Sequence, residues 1–173
     1  GLPAPTLAIA NSLTADDLRA CAARLTAWQD EGLATPLLLP ADELARSLDV
    51  FPMEFTVILT DHQLLFGTNP FVGLTIEPAE LRRACEVQAR SHLLHLRQGY
   101  LETGGRGDHL AAIMRRSAPA LAALLQSVAL LVRGESATAE TAARWVADAM
   151  GDPNGYASVL THVVSWTGRE EVA

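Results

Sequence analysis

With 173 residues, 49% of them hydrophobic and 5% aromatic, the chain is long enough for one domain or two small ones whose interior Ala and Leu must build. All thirteen basic residues are Arg, which excludes Schiff-base chemistry, the Walker lysine and Ser-Lys dyads, and a net charge of −7 argues against bulk nucleic-acid binding. The charge is uneven, with seven Arg against three acids between Arg82 and Arg116 and six Arg against seventeen acids elsewhere.

Taken in order, Thr6 to Ala10 has the length and composition of a short buried strand. Thr14 followed by Asp17 has the form of a capping box, and Leu18, Cys21, Leu25 and Trp28 make the apolar stripe of one helix that Gly32 terminates. Thr35 to Leu39 is a second short strand, and Pro36 suits an edge position or a strand start. Pro40 opens a helix to about Leu48, with Asp42 and Glu43 where the helix dipole favours acids.

Phe51 to Phe71 joins this α/β half to an all-helical half. Met53, Phe55, Val57 and Leu59 fall on one side of an extended chain and Glu54, Thr56 and Ile58 on the other, which predicts a half-buried strand with Glu54 on its more polar face. Leu64 to Phe66 is a second β-prone run, and Gly67, Asn69 and Pro70 punctuate it as turn residues do, so a hairpin is expected.

Beyond Phe71 the pattern is helical. One helix is expected from about Pro78 to Thr103, ended by Gly104 and Gly105. A second runs from about Asp108 to Arg133, with Leu110, Met114, Leu121, Leu125, Val128 and Val132 as its stripe and a kink at Pro119. A third, capped by Ser136 or Thr138, reaches Met150, and a fourth spans Tyr156 to Thr167 with Tyr156, Leu160 and Val163 as its face. The apolar run from Ser117 to Val132 is 16 residues, short of the about 20 that a bilayer needs, and reads as a core helix. The expected fold class is α+β: a small three- to four-stranded mixed sheet with flanking helices over residues 1–74, then a four-helix bundle-like region over 75–173. Cys21 and Cys85 have no CxxC spacing, and no signal-peptide pattern is visible, so free thiols in a soluble, cytoplasmic protein are expected.

A strand with an inner carboxylate, then Leu64-Leu65-Phe66-Gly67-Thr68-Asn69-Pro70-Phe71, then a helical bundle, resembles the back half of small bacterial members of the nucleotidyltransferase superfamily related to DNA polymerase β. In that family the strand carboxylate is the third acidic metal ligand, so the resemblance implies that role for Glu54. The family's Gly-Ser pair and Asp-x-Asp are missing here, since no acid follows Thr6 to Ala10 before Asp16. The resemblance therefore implies a catalytically incomplete relative that acts as a binding or regulatory module, with no cofactor unless a functional site takes Mg²⁺ and a nucleoside triphosphate. Its alternative is the C-terminal portion of an active nucleotidyltransferase with the acidic motif upstream of residue 1. Read from its own chemistry, Glu54 either serves a metal or a proton transfer, or pairs with an Arg of the following helix.

Arg83, Arg90 and Arg97 recur every seven residues, which on a helix makes one stripe drifting only about 20° per heptad. Permanently charged planar donors suit phosphate or carboxylate, and the basic residues of the family's helical half imply a nucleotide site at these three; a solvated or interface stripe is the other reading. Arg90-Ser-His-Leu-Leu-His95 matches the Arg and His spacing of helical HEPN ribonucleases, which implies a third reading as a ribonuclease toxin or its antitoxin partner. His92 and His95 have no further ligand at a recognised spacing, so packed or hydrogen-bonded rings and no metal are expected. The partners expected are another protein or a second copy, and a nucleotide, but no membrane.

Overall fold

The computed structural model describes residues 5–152 and 155–167. The chain divides into two compact units, one made of Gly1–Val50 with Gln63–Leu74 and the other of Phe51–His62 with Thr75–Ala173.

In the first unit β1 (Leu7–Ala10) and β2 (Leu37–Pro40) pair in parallel, from Leu7 with Leu37 to Ala10 with Pro40. Parallel neighbours need a crossover, which α1 (Ala15–Ala22) and α2 (Leu25–Asp30) supply. Thr14 caps α1 through the expected capping box. Its hydroxyl and then its backbone N–H donate to the Asp17 carboxylate at 2.7 and 2.9 Å, which holds the Asp17 pKa below its usual 3.8. A lowered carboxyl pKa means that the cap is complete above the ordinary carboxylate range and is lost as pH falls through the lowered value. The single helix expected from Thr14 to Gly32 is two, because neither α1 nor α2 buries a residue and no packed stripe holds them in line. α3 (Leu44–Val50) buries Leu44 and Leu48.

The expected sheet is corrected. Phe51 to Leu59 is no strand but the helix α4 (Pro52–Thr60), and Leu64 to Phe66 lies in irregular chain, so there is no hairpin. Among the described residues the sheet has two strands, both parallel, in a mainly helical protein. The reason lies in the run itself. Pro52 presets the first helical turn, and Ile58 puts an apolar residue on the otherwise polar parity, so the alternation is broken and does not outweigh the helical start. Helical spacing buries Pro52, Phe55 and Thr56 together, and Thr56 and Thr60 donate their hydroxyls to the carbonyls of Pro52 and Thr56 at 2.6 and 2.8 Å.

The second unit holds α4, α5 (Pro78–Glu102), α6 (Gly107–Arg133), α7 (Ala139–Ala149) and α8 (Tyr156–Val164). Gly104 and Gly105, at φ of 60° and 73°, make the left-handed turn between α5 and α6. One core joins Ala122, Leu125 and Ala129 of α6 to Ala142, Ala143 and Val146 of α7 and Val164 of α8. A second joins Leu81 and Cys85 of α5 to Leu124 of α6, with Met53 of α4 and Ile76 packed against it. Arg133 over Trp145 and Arg115 over Trp166, at 5.8 and 5.9 Å, brace α6 against α7 and the turn after α8. Among the described residues no helix is long and apolar enough to cross a membrane.

α6 runs through Pro119 without a break, and that proline is exposed. It offers no N–H to the Arg115 carbonyl one turn back. Pro119→Ala is expected to stabilise the protein by about 1 to 2 kcal/mol, the helix-propensity gain less the greater freedom of the unfolded chain. Thermal unfolding checks this, and an unchanged or lowered midpoint contradicts it.

Candidate functional site

α5 is two-faced in an unusual sense. Its inward face carries Leu81, Cys85 and Gly99 fully buried and Gln88, His92 and Leu96 half-buried. Its outward face carries Arg83, Val87, Arg90, Leu94, Arg97 and Leu101, at alternating steps of four and three residues. At 100° per residue these six fall within an arc of about 80°, and they run for about 27 Å along the helix. Val87, Leu94 and Leu101 are 61%, 62% and 77% exposed, and Leu93 and Tyr100 widen the apolar strip on one side. Three bulky aliphatic residues thus point outward, while the inward face carries two, Leu81 and Leu96, among small and polar ones.

The inward face is built for close approach. A Cβ on Gly99 would stand 2.8 Å from the Ile113 Cδ1 of α6, so only glycine lets the two helices meet there undisturbed. Burial pushes the Cys85 thiol up to about 11 from 9.0, which keeps it protonated and unreactive at neutral pH. Cys21 is less buried, and neither thiol is in a disulfide. At about pH 8 a disulfide reagent is expected to modify Cys21 in the folded protein and Cys85 only once denaturant is added. Equal labelling of both in the folded state would contradict the packing of α5.

The sequence-predicted residues are only partly brought together. Arg83, Arg90 and Arg97 do form one exposed stripe, and Arg83 pairs with Glu80 one turn back. Arg82, off the stripe, bonds Glu86 at 3.0 Å. Such exposed pairs contribute less than about 1 kcal/mol, so they leave the arginines available to a partner. Glu54 lies in the first turn of α4, exposed, and among the described residues its carboxylate has no ion pair. The strand-borne ligand position that the nucleotidyltransferase resemblance implied for Glu54 has no counterpart, because that strand is a helix. Arg90 and His95 are five residues apart on α5, about 140° around the helix, and both are exposed. His95 lies beside Ser91 at 3.4 Å and His92 beside Gln88 at 3.3 Å, and among the described residues no group of three His, Cys, Asp or Glu could hold a metal.

One shallow groove of about 490 Å³ lies along α8, lined by Arg144, Ser158, Thr161, His162 and Ser165. Its hydroxyls already donate to backbone carbonyls of Gly155, Ala157 and His162, which leaves few donors to converge on a ligand. Sequence reasoning found the arginines of α5 but missed Val87, Leu94 and Leu101, whose own seven-residue repeat was the available signal. No protein-family model, curated protein or solved structure matches the chain.

Proposed function

We propose that this protein is a binding module, and that the outward face of α5 is its docking surface for an acidic, amphipathic helix of another protein. The observation that carries this is the outward stripe of α5, which leaves three bulky aliphatics, Val87, Leu94 and Leu101, in solvent between three arginines, against two, Leu81 and Leu96, on the inward face. Leaving Val87, Leu94 and Leu101 in water forgoes roughly 1.5 to 3 kcal/mol of burial each. Three arginines interleaved with three aliphatics, at heptad spacing, match a helix that offers aliphatic residues and carboxylates in the same rhythm. The same charges oppose a second copy of α5, which would bring like stripes together. A flat helix face with no enclosing wall also suits a helix better than a small nucleotide, which needs concavity.

The test uses a photo-crosslinking amino acid at position 94, and at the exposed Asp148 of α7 as a control, in the cells that make the protein. One adduct from position 94 and not from 148, mapping to an acidic helical segment of a different protein, is the expected result. The same adducts from both positions, or an adduct of two copies of this chain, would overturn the reading.

A further inference from the structure

The outer edge of the two-stranded sheet carries a separate inference, independent of α5. In a strand the N–H and C=O of one residue point to the same side, and successive residues alternate sides. Leu37 donates its N–H to the Thr6 carbonyl at 2.9 Å, which turns the odd residues of β2 toward β1. Pro36, Leu38 and Pro40 therefore face the outer edge, and two of those three have no N–H to offer. That edge is closed to a further strand.

By the same parity β1 turns Ala8 and Ala10 toward β2 and leaves Leu7 and Ile9 facing outward with both backbone groups. Strand edges that avoid pairing are very short or covered, or carry charges, prolines or bulges, and of these β1 has only its shortness, four residues. Here no residue from Pro5 to Ala15 is charged, and neither outward-facing position within β1 is proline. The unit is also short of core: among its described residues Leu44 and Leu48 are the buried hydrophobics, and a two-stranded sheet alone is marginal in water.

We infer that two copies of this chain pair through β1, antiparallel, about a two-fold axis at Ala8. That register sets Leu7 opposite Ile9 of the second copy, and the reverse, so that both pairs exchange N–H and C=O using strand residues alone. Ala8 meets its own counterpart as a non-hydrogen-bonded pair, where Cα atoms approach to about 4.5 Å and a small side chain fits. Leu7, Ile9, Leu37 and Leu39 share one sheet face, so the symmetric pairing joins two aliphatic surfaces into one. The occupant is a second copy because one two-fold register lets the outward N–H and C=O of Leu7 and Ile9 pair with the same groups of a second β1, and neither strand brings a charge to the seam. The arginines of α5 repel their like, whereas this edge carries no charge to do so.

Two experiments on the full chain test the pairing. Ile9→Pro removes an outward N–H and leaves the β1 to β2 ladder intact, because that N–H takes no part in it. In sedimentation velocity the native chain is expected to dimerise, and Ile9→Pro to raise the dissociation constant at least about tenfold, with helix content by circular dichroism unchanged. In a Cys21→Ser, Cys85→Ala background, Ala8→Cys is expected to oxidise to a covalent dimer, since a Cα separation near 4.5 Å is within disulfide reach. Ala10→Cys is not, because the register holds its counterpart about 14 Å away. A native chain that stays monomeric at about 100 μM, far above the dissociation constants of specific complexes, overturns the inference. So does a dimer indifferent to Ile9→Pro, or equal cross-linking at positions 8 and 10.

Discussion

Arg83, Arg90 and Arg97 replaced together by Glu are expected to weaken the partner of α5 about a hundredfold, on the order of 1 kcal/mol or more for each charge contact at an interface, with each 1.4 kcal/mol worth tenfold. The readout is the adduct captured at position 94, titrated against the identified partner. The interaction is also expected to weaken as salt rises, because exposed charges are screened beyond about 10 Å at 0.1 M. Stability is expected to change little, since all three side chains stand in solvent and the Arg83 pair with Glu80 is a surface pair. The combination separates a docking face from a structural one. Affinity within about threefold of native, less than the tenfold that corresponds to 1.4 kcal/mol, would mean that the stripe is merely solvated.

Leu125→Ala is expected to lower the unfolding free energy by about 3 to 5 kcal/mol, the upper part of the range for a buried Leu. The physical reason is the composition of its surroundings. Leu125 is 5% exposed within a core whose other buried members are Ala122, Ala129, Ala142, Ala143, Val146 and Val164. Four of those are alanines, which have no side chain able to swing into the space that Leu125 leaves. The cavity therefore persists and its cost is not relieved. Val132→Ala on the same helix is the control: Val132 is 51% exposed and its loss is expected to stay within about 0.5 kcal/mol. Urea unfolding followed by helix content measures both, and similar losses for the two would contradict the packing of α6 on α7 and α8.

The contrast between those two residues shows how far the sequence could be read. Periodicity assigned both to one stripe of α6, because the 3.6-residue repeat marks an apolar arc without saying how much of it another helix will cover. The neighbours decide that. α7 covers the arc around Ala122, Leu125 and Ala129, and Val132 is left outside. The same limit applies to α8, where Tyr156 is 41% exposed and Val164, not singled out by the spacing, is fully buried. At the candidate site the Arg repeat was legible because charge draws attention, whereas Val87, Leu94 and Leu101 pass for core in a list of apolar residues.

What the sequence determined by itself was local. The Thr14 cap, the glycines after α5 and the positions of the four long helices follow from backbone preferences and short-range bonds that act within a few residues. Pro52 favours a helical start, but tertiary burial decided that Pro52 to Thr60 coils rather than extends, since the apolar parity of Met53, Phe55, Val57 and Leu59 would suit a strand and only the packed structure buries Phe55 and Thr56 together. It alone decided which face of α5 meets α6. Gly99 admits Ile113 and Cys85 joins Leu81 and Leu124, so the close-packed seam took Gly99, Cys85 and Leu81 and left Val87, Leu94 and Leu101 in solvent.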